Sequence, residues 1–335
     1  MVSKNIVINA SGAKEGGAKT IIESFLLNIK DNNNYYIVVG FDLDLDLSNN
    51  IRVIKFPTSG ILSLFFSIIG FYYFCFKFKA DVAISFMNLN LIFFKNRKIT
   101  YLHQNKIFTC NSLRMKIYRF ITNINRNDNY VCQTEAVKSN MINVLSINPN
   151  NIEVVWPSIL IPNNANDYNS LQIKFENNFI YCICPIIDIN TPHKNFNFLI
   201  ENQDYFIKNN IKVFVTSEVG NNFHEISDCF IFLGKLNTSD LHYLYKQCDF
   251  MLFPSKNETV GLPIFEALYY NCKPVLYEAP YLMNIFNDGL PNNVILVNES
   301  RFAFLEQGNL SSSKDFSYEP KNEWYKLFKM IENFK

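Results

Sequence analysis

Two glutamates, Glu258 and Glu266, stand at E-x7-E spacing in the segment Phe253–Val275, FPSKNETVGLPIFEALYYNCKPV. The segment reads as a strand ending at Phe253–Pro254, a loop carrying Glu258 and Gly261, and a helix over Pro263–Tyr270. Pro263 suits the first helical position, which places Glu266 in the first turn. The amides of Val260, Gly261 and Leu262 at that helix start suit an anion such as a diphosphate. Gly261, with no side chain, lets the backbone approach a ligand closely. A carboxylate accepts from both hydroxyls of a sugar diol, so the pair of glutamates points to a carbohydrate or a ribose. The alternative for Glu266 is a carboxylate that merely complements the helix dipole.

Three other places offer chemistry. Lys194 reads as the start of a helix over Asn195–Lys208, where the dipole disfavours a cation and an anionic ligand would relieve the misfit. A solvated lysine is the alternative, and His193 beside it reads as structural. His103 ends the strand in YLHQN and reads either as a structural histidine or as a group facing the site. Gly16 and Gly17 follow the first strand. Their context, SGAKEGG, is not G-x-G-x-x-G, which argues against a dinucleotide fingerprint. A tight turn or a close backbone approach to donor or acceptor remain the two readings.

These residues need elements to hold them. Short apolar strands alternate with helical stretches, the pattern of a parallel α/β architecture. Two such series are separated by a polar, proline-containing stretch. The expected organisation is an N-terminal Rossmann-like domain at 1–158, a linker at 159–178, a C-terminal Rossmann-like domain at 179–318, and a helix at 319–335 returning to the N-terminal domain. Pro320 suits the first turn of that helix. Ligands of doubly wound sheets bind at the carboxyl ends of strands, so the expected site is a cleft between the domains.

The chain has 335 residues, 48% hydrophobic and 18% charged, enough for two cores. Its net charge is +1, which lacks the basic excess of a bulk nucleic-acid binder. The 8 cysteines form no C-x-x-C pair and mostly sit in apolar runs, as buried thiols of a reducing compartment do. The 4 histidines show no metal-ligand spacing, and Asp42, Asp44 and Asp46 read as a surface loop. The apolar run near the N-terminus is too short for a signal peptide. Ile61–Phe76, ILSLFFSIIGFYYFCF, is uncharged and falls short of the roughly 20 residues that span a bilayer. It reads as a buried or half-buried helix, or as one that also dips into a membrane interface with Lys77 and Lys79 on anionic lipid.

The Glu258–Glu266 segment resembles the E-x7-E signature of family 4 glycosyltransferases. PHKNFNFLIE (Pro192–Glu201) is similar to the segment in which that family binds the donor diphosphate through a lysine, here Lys194. Phe232–Ser255 resembles its glycine turn, helix and strand leading into the signature. Asn9–Leu26 resembles its first glycine loop, and Tyr101–Asn105 the strand whose terminal histidine faces the donor sugar. One departure is that Pro185 and Ile186 stand where many members carry an arginine. Thr259 follows the first glutamate, where backbone amides make the contacts. The resemblance implies an α/β GT-B fold, two Rossmann-like doubly wound domains facing each other across a cleft. It implies a retaining glycosyltransferase with Glu258, His103 and Lys194 as catalytic residues. Gly16, Gly17, Lys194, Val260, Gly261, Leu262 and Glu266 would bind the donor. The implied partners are a nucleotide-sugar and a saccharide acceptor, polyprenyl-linked, in O-antigen or capsule assembly. No metal, no other cofactor and no nucleic acid are expected, and the expected location is the cytoplasm or the inner face of the cytoplasmic membrane. A non-catalytic nucleotide-sugar or carbohydrate-binding protein, a sugar-nucleotide epimerase and a phosphorylase are the alternatives on the same fold.

Overall fold

Strands covered by helices on both faces have no solvent side to keep polar, so they appear in the sequence as continuous apolar runs. The computed structural model describes residues 3–43, 45–161, 171–219, 226–286, 289–307 and 318–333. It divides into two compact units, Met1–Leu160 with Lys321–Lys335, and Ile161–Pro320. Asp44 and residues 162–170 of the expected linker lie outside the described residues.

The strands of the first unit are β1 (Asn5–Ala10), β2 (Asn34–Val39), β3 (Ile51–Lys55), β4 (Val82–Ser85), β5 (Arg97–Leu102), β6 (Asn129–Cys132) and β7 (Ile152–Val154). They form a parallel sheet in the order β3-β2-β1-β4-β5-β6-β7. Ile8 faces Ile37 on one side and Ile84 on the other, so β1 sits at the switch point of a doubly wound sheet. The helices are α1 (Gly16–Leu27), α2 (Gly60–Phe65), α3 (Tyr72–Lys77), α4 (Lys106–Thr109), α5 (Leu113–Ile124) and α6 (Glu135–Leu145). Ser112 and Thr134 cap α5 and α6 by accepting from the amides of Met115 and Val137.

The helix expected over Ile61–Phe76 is interrupted. A π turn, Phe66–Gly70, joins α2 to α3. In an unbroken α-helix Phe66 and Cys75 would lie about 180° apart, and the wider turn draws them onto one face. Phe66, Phe71, Phe74 and Cys75 then pack with Val7, Val38 and Ala83 of the sheet. Gly60–Lys77, with a mean hydropathy of 1.6 over 18 residues, is long and apolar enough to cross a membrane by length and composition. Only 33% of it is buried, and that part is built into the core of the unit.

The second unit repeats the plan with β8 (Ile180–Cys184), β9 (Ile211–Val215), β10 (Phe230–Phe232), β11 (Phe250–Phe253), β12 (Lys273–Tyr277) and β13 (Ile295–Val297). These strands are parallel in the order β10-β9-β8-β11-β12-β13, which puts the switch between β8 and β11. Its helices are α7 (Asn197–Glu201), α8 (Gln203–Lys208), α9 (Thr238–Gln247), α10 (Leu262–Tyr269), α11 (Leu282–Ile285) and α12 (Phe304–Gln307). The single helix expected over Asn195–Lys208 is split, because Asn202 leaves helical geometry at φ −105° and ψ 15°.

The last helix, α13 (Trp324–Glu332), packs into the first unit. The Trp324 indole donates to Ser24 Oγ at 2.9 Å and meets the Phe25 ring edge-on. Pro320 precedes the helix rather than opening it. Asn322 Oδ1 accepts from the Trp324 amide and fixes the start four residues later. The cysteines are free, and all but Cys110 are buried.

Candidate functional site

Most chemistry-bearing residues of the second unit lie in the loops that follow β8, β11 and β12, and Glu266 lies in α10. After β8 the chain makes a 3-10 turn, Pro192–Lys194. Asn195 then turns left-handed at φ 55°, and α7 begins only at Asn197. Lys194 therefore closes a turn rather than opening a helix, and no dipole misfit acts on it. Its ammonium instead donates to Glu258 Oε1 at 2.6 Å and lies 5.5 Å from the centre of the Phe253 ring.

Glu258 is fixed from a second side. Ser255, two residues past β11, donates through Oγ to the same Oε1 at 2.7 Å. The Lys256 amide donates to the His193 carbonyl at 2.8 Å, tying the two loops together. His193 thus acts through its backbone. Sequence reasoning passed over Ser255; its place just beyond a buried strand end was the available signal. Tyr281, in the loop after β12, has a buried hydroxyl with no hydrogen-bond partner among the described residues. Burial raises its pKa, and the Glu258 charge raises it further. A hydroxyl kept protonated there is a ready donor for a ligand oxygen. Beside Lys194, a cavity of about 340 Å³ is lined by residues 189–192 and 195–197, Thr191 and Asn195 among them. Asn195 Nδ2 has no partner among the described residues. At the position of the absent arginine, Ile186 is buried and brings no charge.

Gly261 is at φ +68°, where a side chain is strained, and an added Cβ would lie 3.0 Å from Ile264 Cδ1. It caps α10, so Leu262 is the first helical residue and Pro263 the second. Val260 and Leu262 are buried to either side of it. Glu266 consequently falls in the second turn rather than the first, and faces inward with 6% exposure. It is not the surface carboxylate that complements a dipole. The Tyr245 hydroxyl donates to its Oε2 at 3.3 Å. Burial raises the Glu266 pKa from 4.5 to about 7, and that hydrogen bond opposes the rise. Tyr245, on α9, was not singled out in the sequence because an aromatic at helical spacing reads as core.

His103, Gly16 and Gly17 belong to the first unit. His103 follows β5 rather than ending it, and its amide donates to Asn88 Oδ1 at 2.8 Å. The Gln104 amide donates to the same oxygen at 3.1 Å, so Asn88, itself left-handed at φ 62°, shapes this strand end. His103 Nδ1 is shielded from solvent, and desolvation lowers its pKa to about 4, which leaves the imidazole neutral near pH 7. Gly16 opens α1, and no atom lies within 4 Å of where a Gly17 Cβ would stand. Among the described residues, no group of three or more His, Cys, Asp or Glu is placed to hold a metal ion.

Residues 191–307, which carry Lys194, Glu258 and Glu266, match the sequence profile of the glycosyl transferases group 1 family. A curated relative of the chain is the O-antigen chain mannosyltransferase RfbU of Salmonella typhimurium, 22% identical over 215 residues. That match covers 61% of this chain and 57% of the relative, so the chain spans little over half of that protein's length. Among solved structures, WaaG, a glycosyltransferase involved in lipopolysaccharide biosynthesis, matches 90% of this chain and 88% of its own at a TM-score of 0.64 and 12% identity. The sucrose-phosphate synthase of Thermosynechococcus elongatus matches 91% and 88% at 0.65 and 12%. Anabaena HepE, solved with UDP and glucose, matches 91% and 88% at 0.61 and 13%. At these identities the structures establish the fold, an α/β fold of the GT-B kind with two Rossmann-like domains.

Proposed function

We propose that the chain is a retaining glycosyltransferase that moves a sugar from a nucleotide-sugar donor to a saccharide acceptor in surface polysaccharide assembly. The observation that carries this reading is the Lys194–Glu258 contact between the loops after β8 and β11, inside the residues that match the group 1 profile. In this reading Glu266 accepts from the ribose diol in its ionised form, with Tyr245 holding one oxygen. The diphosphate replaces Glu258 as the partner of Lys194 and takes the amides around Gly261. Glu258, still held by Ser255, turns to hydroxyls of the transferred sugar. Negative charge grows on the diphosphate as the glycosidic bond breaks, so Lys194 and those amides stabilise the transition state more than the ground state. That countercharge comes from the chain itself, so the reaction needs no metal. The family resemblance assigns His103 to the sugar, Gly16 and Gly17 to close backbone approach, and retention to the stereochemistry.

The relative described as an O-antigen chain mannosyltransferase supports an O-antigen-type acceptor, and the family resemblance extends the reading to a polyprenyl-linked acceptor at the inner face of the cytoplasmic membrane. The test is a thermal-shift screen of UDP-, GDP- and ADP-sugars. A donor at 100 times its dissociation constant stabilises the folded chain by about 2.7 kcal/mol through mass action. One donor class should raise the melting temperature in a concentration-dependent way. A flat response to all three sinks the reading.

A further inference from the structure

Charge is segregated along this nearly neutral chain. Residues 47–127 hold 12 Lys and Arg against one carboxylate, Asp81, a net of +11 in a chain whose total is +1. The remainder therefore carries −10. Lys55 pairs with Asp42 and Lys98 with Asp128, both carboxylates outside the stretch. Lys77, Lys79, Lys106, Arg114 and Lys116 are exposed.

The same stretch exposes apolar side chains on two helical segments. α5 has two apolar stripes. Met115, Tyr118 and Ile121 are buried in the core, whereas Leu113, Ile117, Phe120 and Ile124 face outward, Leu113 at 74% and Phe120 at 66% exposure. At 100° per residue the outer stripe spans an arc of about 60°, with Arg114 on one side and Lys116 on the other. Gly60–Lys77 exposes Ile61, Leu62, Phe65, Ile69, Tyr73 and Phe76, the last at 88%. The two segments are neighbours, because Leu64 and Ile68 pack on the cluster that contains Met115, Tyr118 and Ile121.

We infer that these two helical segments form one docking face for an anionic lipid surface, with the apolar stripes in the interface and the lysines and arginines at headgroup depth. A polyanion such as a nucleic acid would use the cations and leave the aliphatic stripe idle. A second copy would bring two cationic flanks against each other. A bilayer surface of phosphatidylglycerol type satisfies both parts at once. Burial of Phe66, Phe71, Phe74 and Cys75 keeps Gly60–Lys77 in the protein core, so the segment lies on the membrane and does not cross it. The inference does not depend on the proposed chemistry, since lipid binding is read without donor or acceptor.

Flotation of the full chain with vesicles of phosphatidylcholine alone, or with added phosphatidylglycerol, tests it. Binding should require the anionic lipid and weaken at high salt. R114Q with K116Q should weaken it roughly 25-fold, at about fivefold per basic residue. L113S with F120S should weaken it at least about tenfold, because two large apolar groups no longer enter the interface. Both pairs are exposed, so circular dichroism and the melting temperature should match the parent. Failure to float with anionic vesicles would overturn the inference. So would binding indifferent to L113S with F120S, which marks a contact by charge alone. Self-association lost in these variants, with vesicles ignored by the parent, would assign the face to a second copy instead.

Discussion

Replacing Glu266 by glutamine should make the free chain more stable and its donor site worse. In the folded chain the Glu266 carboxyl holds its proton up to a pKa of about 7, against 4.5 for the ordinary group. The folded state thus binds that proton more readily than the unfolded state. The resulting stabilisation is complete below about 4.5 and is lost as pH rises through about 7. Above that range the parent pays for a buried charge supported by the Tyr245 hydroxyl. At about 1.4 kcal/mol per pH unit, the loss is on the order of 3 kcal/mol. Glutamine has the shape of the protonated side chain and no charge to bury. Glu266→Gln should melt like the parent at pH 4.5 and roughly 6–12 °C higher at pH 8.5, at about 2–4 °C per kcal/mol for a unit of this size. Calorimetry with sugar nucleotides should show the opposite trend. Parent affinity at pH 6 should be about tenfold below its plateau, because only about one carboxyl in ten is ionised there. The variant should bind weakly at every pH. Equal melting temperatures at pH 8.5 would refute the buried charge, and undiminished donor affinity would refute the ribose role.

Lys194→Ala should lower turnover more than donor affinity, by about 2–4 kcal/mol in barrier, the range for one preorganised electrostatic group; equal losses in kcat and affinity would contradict a transition-state role. Glu258→Gln should leave binding of the nucleoside diphosphate intact while transfer falls, since a misplaced sugar costs rate when most contacts survive; loss of diphosphate binding would reassign the residue. Activity should persist in EDTA, and activity that vanishes and returns with Mn²⁺ would show that Lys194 and the loop amides are insufficient.

The sheet pattern was legible because both sheets are buried on two faces. Phe250–Phe253 and Val82–Phe86 read as interior strands, and the structure has strands at Phe250–Phe253 and Val82–Ser85. Helix interiors were less legible where one backbone dihedral decides. Asparagine turns left-handed more readily than most side chains, but in so asparagine-rich a chain its type did not mark Asn195 as the one that turns or Asn202 as the one that breaks a helix. Asn195 removed Lys194 from a helix start and left it in a turn against Glu258. The E-x7-E spacing located both glutamates but was silent on depth. Placing Gly261 at the cap moves Pro263 to the second position and turns Glu266 inward. Ser255, Tyr245 and Tyr281 were hidden for a simpler reason. Their roles come from contacts between loops or between helices that the sequence does not order.

The central claim is that Lys194, Glu258 and Glu266 together hold a nucleotide-sugar whose sugar is transferred with retention. Proton NMR of the glycosidic linkage, after incubation of the full chain with an α-linked donor found by thermal shift and a lipid-linked saccharide acceptor, tests it most directly. The account predicts an α-linked product. A β-linked product would contradict it.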